Sequence, residues 1–205
     1  MSLVDLSIVI PTYTITQELE EVAVSCILSL AGDMAIHEII VTEDGGFFSP
    51  QLMELADVYI YNKGNRGFTL NVNQGWRAAT GDFVAIVNSD ITLREGELSS
   101  LCIPGKVTSP VTINESQPRL AGHFFVVPKE VKEERGMLME EMRLYCSDSE
   151  YDARVADIFQ SVPEVKIFHH TQATTKSMEG DKIEKAHARD EEIYHKLVKE
   201  GKASG

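Results

Sequence analysis

One apolar segment constrains the fold of this 205-residue chain more than any other. Phe83–Val87 follows Gly81-Asp82, is rich in β-branched and aromatic residues, and stops at Asn88-Ser89-Asp90. Such a run predicts a buried central strand, and ligands of open α/β sheets bind beyond the carboxyl ends of such strands. Asn88 and Asp90 are two residues apart, so they face the same way on an extended chain. Together they can hold a divalent cation or a ribose hydroxyl, although polar residues also form ordinary turns there.

The composition limits the ligands and the compartment. A net charge of −13 argues against electrostatic binding of nucleic acid. A polyphosphate would be repelled unless a metal ion or a local cluster of basic and backbone N–H groups supplied positive charge. The three cysteines form no C-x-x-C pattern, which is typical of reduced thiols in a cytosolic protein. No apolar run approaches the ~20 residues needed to cross a bilayer, and no signal peptide is evident. We therefore expect a cytoplasmic protein without a transmembrane segment.

Strands and helices alternate through the first ninety residues. A helix is expected to begin at Thr14, which has capping-box spacing with Gln17, and to close at Gly32. A second helix is expected from about Phe68 to Thr80. This order predicts a parallel sheet with right-handed crossovers. The predicted strands are Leu6–Ile10, Glu38–Thr42, Val58–Tyr61 and Phe83–Val87.

The strands of this half are followed by polar residues, which a parallel sheet brings to one edge. Asn73 lies in the second helix, which contains several poor helix formers, so it either reaches a ligand or serves tight packing. The polar clusters that follow the strands are Pro11-Thr12-Tyr13, Glu43-Asp44, Asn65-Arg66-Gly67 and Asn88-Ser89-Asp90.

The second half is less regular. Asp148 and Glu150 stand at the start of a predicted amphipathic helix, whose inward-facing residues are expected to be Tyr151, Val155, Ile158 and Phe159. Each cluster of this half has an ordinary explanation too, since acidic residues favour helix N-termini and paired histidines are common on surfaces. The predicted strands are Lys106–Ile113, His123–Val127 and Val165–Phe168, the last ending at His169-His170, and a charged helix is expected from about Lys176 to Lys199.

In order and spacing, these motifs resemble the family-2 inverting glycosyltransferases with the GT-A fold. The resemblance implies an α/β GT-A domain over residues 1–175, with a Rossmann-like, mostly parallel sheet, helices on both faces and a small acceptor-side subregion. Residues 1–90 would form the nucleotide-binding half, residues 91–175 the acceptor-side half, and residues 176–205 a charged helical tail. The matching segments are Ser7–Tyr13, Ile39–Gly46, Asn65–Gly67, Asn73–Gly75, Ala79–Asp82, Val87–Asp90 and Gly136–Arg154.

The resemblance implies that a nucleoside diphosphate sugar lies across the strand ends. Thr12 and Asp44 would hold the base, with Asp44 accepting from a ring N–H, and Arg66 would lie near base or phosphate. Asn88 would bond the ribose or a metal-bound water. The other residues implied on the donor side are Pro11, Tyr13, Glu43, Asn65, Asn73 and Ser89.

The resemblance also implies Mn²⁺ or Mg²⁺ as the cofactor, with Asp90 as a ligand. The cation would neutralise the diphosphate and stabilise the departing nucleoside diphosphate. A histidine at the end of the late strand often completes the site in this fold. Because strand register does not follow from sequence, His169 and His170 both remain candidates.

Inversion requires a general base for the acceptor hydroxyl, and the family's base matches Asp148. The resemblance places Glu150, Gly122 and His123 on the acceptor side. The acceptor itself is left open among a glycan, a lipid-linked molecule and a protein.

Two positions depart from the family pattern. Asn88 occupies the first place of the metal motif, and Ser147 stands where an acid usually precedes the base. Both favour an alternative, a catalytically degenerate domain that binds nucleotide or glycan. A nucleotidyltransferase is less favoured because Pro11-Thr12-Tyr13 offers neither a glycine-rich phosphate loop nor a basic residue. No G-x-G-x-x-G follows the first strand, which argues against a dehydrogenase.

Overall fold

The computed structural model describes residues 4–116, 119–120, 122–170 and 180–203. Eight strands form one sheet. They are β1 Leu6–Thr12, β2 Ile36–Asp44, β3 Val58–Asn62, β4 Phe83–Val87, β5 Ile91–Glu95, β6 Val107–Thr112, β7 Phe124–Pro128 and β8 Phe159–His169. The helices are α1 Gln17–Leu30, α2 Pro50–Leu55, α3 Phe68–Ala78, α4 Lys129–Arg135, α5 Ser147–Arg154 and α6 Gly180–Lys199, with a 3₁₀ turn at Leu98–Leu101.

The sheet has the spatial order β3-β2-β1-β4-β7-β6-β8-β5. Strands β3, β2, β1 and β4 are mutually parallel, as their alternation with helices predicts. Beyond β4 the pairing turns antiparallel at β7, and β6 and β8 are parallel to each other. The predicted α/β class with a mostly parallel sheet is confirmed.

Apolar side chains cover both faces of the sheet. On one face, Ala85 and Val87 pack in a cluster with the buried stripe of α1. On the other, Val84 and Ile86 pack with Trp76 of α3. Alternate residues of β4 thus serve two cores, which is why the strand reads as a continuous apolar run.

Helix α3 lies close to the sheet because of Gly75. A Cβ at this position would come 2.5 Å from Val9 Cγ1 and 3.1 Å from Thr42 Cγ2. The poor helix former therefore permits close packing of α3 on β1 and β2.

The start of α1 differs from expectation. Thr16 is the N-cap, and its Oγ1 accepts from Leu19 N at 3.3 Å. Thr14 cannot serve as the cap because its amide and hydroxyl both bond Glu43, the hydroxyl at 2.7 Å. The capping-box prediction at Thr14 was wrong because a tertiary partner occupies that side chain.

The region after α5 was also mispredicted. The helix ends at Arg154, and Phe159 already belongs to β8, where it pairs with Val107. Long-range pairing with β6 thus overrides the helical pattern. Strand β5 and helix α2 were not predicted.

The tail contains the expected helix, but the predicted boundary at residue 175 lies outside the described residues. None of the helices in the described ranges is long and apolar enough to cross a bilayer.

Candidate active site

A pocket of about 350 Å³ opens where β1, β2 and β4 end. The predicted polar clusters of the first half meet here, and the second half supplies the opposite wall. The lining residues are Pro11, Thr12, Tyr13, Asp44, Asn65, Phe68, Asn71, Asn88, Ser89, Asp90, Gly122, His123, Leu144, Tyr145, Asp148 and His169.

Asp44 connects the end of β2 to the loop before α3. Its carboxylate accepts from Arg66 N at 2.9 Å and from Gly67 N at 2.8 Å. Burial raises the pKa of Asp44 above its usual value, although both of these hydrogen bonds oppose the rise. A carboxylate has about four lone-pair sites, so Asp44 keeps acceptor capacity toward the pocket.

Glu43 points away from the pocket. Its fully buried carboxylate accepts from Thr12 Oγ1 at 2.8 Å and from Gly46 N at 2.8 Å, besides the two bonds from Thr14. A single side chain thus fastens the loop after β1 to the loop after β2, which places Thr12 and Asp44 side by side.

The end of β4 presents a buried amide and a carboxylate. Asn88 Oδ1 is buried and makes no hydrogen bond within the described part of the chain, although Asn88 lines the pocket. Asp90 is mostly buried, and its Oδ1 lies 3.2 Å from His169 Nε2.

His169 is the histidine that faces this carboxylate. Burial opposes its protonation, but its hydrogen bonds and the charges of Asp90 and Glu115 raise its pKa above the usual value. The ring of His170 lies elsewhere, with Nε2 2.8 Å from Thr92 Oγ1. The structure therefore brings His169 to Asp90 and leaves His170 outside the pocket.

A second imidazole supports the first. The rings of His123 and His169 stack, with centroids 4.2 Å apart, and His123 Nε2 lies 2.7 Å from Thr112 Oγ1. Burial, helped by the nearby His169 and opposed by Asp90, lowers the pKa of His123 to about 4. Among the described residues, one set of three has ligand-capable atoms within 4.8 Å of one another and could hold a metal ion, namely Glu115, His123 and His169.

Asp148 stands in the first turn of α5 and lines the opposite wall. Burial raises the pKa of this carboxyl, and Asp152 raises it further, while backbone hydrogen bonds from Asp148 and Ser149 oppose the rise. A raised pKa moves a carboxylate toward the range that suits a general base.

Gly122 makes room for this carboxyl. A Cβ at Gly122 would lie 2.8 Å from Asp148 Cβ and 2.9 Å from its Cγ. Only a residue without a side chain fits beside Asp148 in this arrangement.

Three more predicted residues lie away from the pocket. Arg66 reaches Gln74 Oε1 through its Nη1 at 3.0 Å. Asn73 Nδ2 donates to Leu138 O at 2.8 Å. Glu150 is buried and forms an ion pair with Arg154. Asn73 thus joins α3 to the loop before α5, whereas Arg66 and Glu150 bond side chains of α3 and α5 respectively.

Helix α6 holds part of the pocket wall. Asp190 is fully buried, and its Oδ2 accepts from Leu144 N at 2.7 Å and from Tyr145 N at 3.0 Å. The ring of Tyr145 also contacts that of His187, at 4.9 Å between centroids. The helix predicted as a charged tail therefore packs against the pocket wall that contains Leu144 and Tyr145.

Four lining residues were missed from the sequence. Asn71 is a poor helix former in α3 and could have been found by that signal; its Nδ2 donates to Thr42 O at 2.7 Å. Phe68, Leu144 and Tyr145 carry no local signal, because only the folded chain brings them to the pocket.

Comparison with known proteins agrees with this geometry. The sequence model of glycosyl transferase family 2 matches residues 7–102. No curated protein has a sequence that matches the chain significantly.

Solved glycosyltransferases share the fold at low identity. S. aureus TarS is 14% identical with a TM-score of 0.64, covering 80% of this chain and 36% of its own. The mannosyltransferase PcManGT from Pyrobaculum calidifontis, in complex with GDP-Man and Mn²⁺, is 17% identical with a TM-score of 0.64, covering 82% and 57%. GalNAc-T7, with UDP, GalNAc and Mn²⁺, is 13% identical with a TM-score of 0.67, covering 82% and 44%. The chain thus spans 36 to 57% of these three proteins.

Proposed function

We propose that this chain, whose residues 7–102 match the sequence model of glycosyl transferase family 2, is a metal-dependent inverting glycosyltransferase. It would transfer a sugar from a nucleoside diphosphate sugar to an acceptor hydroxyl. One observation carries the proposal: a single pocket at the strand ends is lined by both the Asp90–His169 pair and the carboxyl of Asp148. The GDP-Man, UDP and Mn²⁺ bound in structures of the same fold support it.

The donor would lie across the ends of β1, β2 and β4. Asp44 has acceptor capacity for an N–H of the base, and Thr12 and Tyr13 form the wall beside it. The unpartnered Oδ1 of Asn88 would accept a hydrogen bond from the ribose. Leaving this amide oxygen buried without a partner is costly, so a bound hydroxyl would relieve a real penalty.

Asp90 and His169 would hold the cation, Mn²⁺ or Mg²⁺. Their facing oxygen and nitrogen are 3.2 Å apart, which suits neighbouring ligands of one ion. Once bound, the cation supplies charge neutralisation of the diphosphate as the leaving group departs. The pocket needs such a charge, because Asp44, Asp90 and Asp148 make its lining acidic.

Asp148 would act as the general base. Its carboxylate would take the proton of the acceptor hydroxyl while that oxygen attacks the anomeric carbon from the face opposite the leaving diphosphate. The bond between the acceptor oxygen and the anomeric carbon forms as the bond between that carbon and the diphosphate oxygen breaks. This displacement inverts the anomeric centre. Because Gly122 has no side chain, the carboxyl of Asp148 has room to occupy this position.

The serine at position 147, where the family usually has an acid, is compatible with catalysis. Thr69 Oγ1 donates to its buried hydroxyl at 2.9 Å, which fastens the start of α5 to α3. The residue that departs from the family pattern therefore has a structural task in this chain.

The free thiols of Cys26, Cys102 and Cys146 support a reducing, cytoplasmic location.

A panel of UDP-, GDP- and dTDP-sugars with Mn²⁺ tests the function. Release of nucleoside diphosphate, and thermal stabilisation by that diphosphate with Mn²⁺, are the expected results. Binding without release under all conditions would favour the degenerate binding domain. Neither binding nor release with any donor would contradict the proposal.

A further inference from the structure

His169 lies between two carboxylates, and each ring nitrogen faces a different one. Nε2 lies 3.2 Å from Asp90 Oδ1, and Nδ1 lies 2.9 Å from Glu115 Oε1. The side chains of His169 and Glu115 are 13% and 28% exposed, so their contact is largely removed from water. A neutral imidazole carries one proton, so one carboxylate meets an N–H and the other meets a lone pair.

The position of the pocket indicates which carboxylate binds the same cation as the ring of His169. A cation that contacts a diphosphate must lie inside the pocket, and Asp90 and His169 line it while Glu115 does not. Neighbouring ligands of an octahedral ion with bonds of ~2.1 Å are about 3 Å apart, close to the Asp90–His169 separation. The ring therefore presents Nε2 to the ion and Nδ1 to Glu115.

The grouping of Glu115 with His123 and His169 does not suit a three-ligand site. A nitrogen lone pair lies in the plane of its ring, and these rings are stacked 19° from parallel at 4.2 Å. Two stacked rings direct their lone pairs along nearly parallel planes, which do not converge on one ion. His123 instead supports the face of His169.

The loop that carries Glu115 is fastened to β8 beside His169. Asn114 Nδ2 donates to His169 O at 2.7 Å, and His169 N donates to Asn114 Oδ1 at 3.0 Å. This pair of bonds joins the side chain of Asn114 to the backbone of His169 and so holds the loop that carries Glu115 beside the ring.

We propose that Glu115 is a positioning residue for the metal site. Its carboxylate accepts a hydrogen bond from Nδ1–H and thereby holds His169 in the tautomer whose Nε2 lone pair faces Asp90. The inference rests on the proposed function, because that function assigns Asp90 and His169 to the cation. Neither the sequence motifs nor the family resemblance pointed to Glu115.

Calorimetric titration of Mn²⁺ into the full chain tests this role. Glu115→Ala should weaken binding about 10- to 100-fold, since partners of ligating histidines have effects of this size. Glu115→Gln should bind more tightly than Glu115→Ala, because its amide oxygen still accepts from Nδ1–H while remaining a poorer metal ligand than a carboxylate. Glu164→Gln makes the same charge change at an exposed position of β8 and should leave the affinity unaltered.

Nitrogen NMR of the metal-free protein gives a second readout that does not depend on activity. At a pH where the ring is neutral, His169 should carry its proton on Nδ1, and Glu115→Ala should give a mixture of tautomers. The resonance is assigned with His169→Gln.

Three results overturn the proposal. The first is Mn²⁺ binding by Glu115→Ala as tight as that of the parent. The second is a loss of affinity in Glu115→Gln as large as in Glu115→Ala, without a change of tautomer. That second result would make Glu115 a direct metal ligand. A parent protein that binds no Mn²⁺ also overturns it. Failure of the proposed function is distinct: the predicted Mn²⁺ pattern would stand while no nucleotide binds and no donor is cleaved.

Discussion

The two walls of the pocket are built in different ways. On the donor side, Thr12, Asp44 and Asn88 stand at or directly after the ends of β1, β2 and β4, so the backbone ladder of the sheet positions them. On the acceptor side, loops form the wall and side chains from distant elements hold them. Asp190 holds Leu144, and other such contacts join α3 to the loop before α5.

This difference makes the two walls unequally sensitive to substitution. A ladder shares its free energy over many hydrogen bonds, so a single side chain changes its geometry little. A loop that depends on one buried carboxylate moves when that carboxylate is lost. The match to the family model ends at residue 102, before any of the acceptor-side wall.

The largest effect is expected from Asp148→Asn, which should separate the two walls functionally. Without a general base, donor turnover should fall about 10²- to 10⁴-fold. Nucleotide binding should remain, because the donor wall is untouched. Release of nucleoside diphosphate and thermal shift with UDP and Mn²⁺ measure the two properties.

The control for Asp148→Asn is Asp157→Asn, which makes the same substitution at an exposed side chain. Turnover by Asp148→Asn at the parent rate would remove Asp148 from the mechanism.

Gly122→Ala should lower turnover about 10²-fold, because the new Cβ must displace the carboxyl of Asp148 and small misplacements have effects of this size. The donor wall should again bind nucleotide normally. Steady-state turnover and thermal shift are the measurements.

Gly64→Ala is the matched control, since a Cβ there meets nothing within 4 Å. If Gly122→Ala kept full turnover, the close approach to Asp148 would have no catalytic importance.

Asp190→Ala should destabilise the fold by about 2 kcal/mol, because two buried amides lose their acceptor. For a chain of this size the melting temperature should fall by roughly 4–8 °C. Hydrogen exchange should accelerate at Leu144 and Tyr145 and stay unchanged at the ends of β1 and β2.

Glu192→Ala, the exposed neighbour on α6, should melt like the parent. Uniform acceleration of exchange across both walls would show that Asp190 has no local role.

The smallest effect is expected on the pH dependence of stability, through Glu38, a buried carboxylate at the opposite end of the donor-side strands. Burial raises the pKa of Glu38, but bonds from Ser7 Oγ at 2.6 Å and from the amide and hydroxyl of Thr80, each at 2.7 Å, lower it to a net value below normal. Its contribution to stability is therefore present above the unfolded pKa of about 4.5 and lost as the pH falls through the folded pKa.

Urea unfolding between pH 3 and 6 should thus show a steeper acid loss for the parent than for Glu38→Gln. The exposed change Glu54→Gln should keep the parent's profile. Equal slopes for the parent and Glu38→Gln would contradict a lowered pKa of Glu38 in the folded protein.

Much of the fold and half of the site could be predicted because their signals are local. The apolar run of β4 and the polar residues after it are adjacent in sequence, and parallel pairing of strands follows from their alternation with helices. Predictions failed where a tertiary partner competed with a local pattern, as Glu43 does for Thr14 and β6 does for Phe159.

On the acceptor wall, the family resemblance pointed to Gly122, His123 and Asp148, but no local signal pointed to the contacts that hold this wall. Asp190 lies 45 residues from Tyr145, and nothing in a charged helix distinguishes one buried aspartate from its exposed neighbours. Glu115 was missed for the same reason, since it reaches His169 across 54 positions of the chain.

The sequence by itself determined the strand pattern and the polar ends of the strands, because hydrophobic periodicity and turn chemistry act over a few residues. The tertiary structure alone decided which histidine meets Asp90. Neighbouring residues of a strand point to opposite faces, so the register of β8 against β5, with His169 opposite Ile91, selects one ring and turns the next away. That register is a property of long-range pairing, which no local pattern encodes.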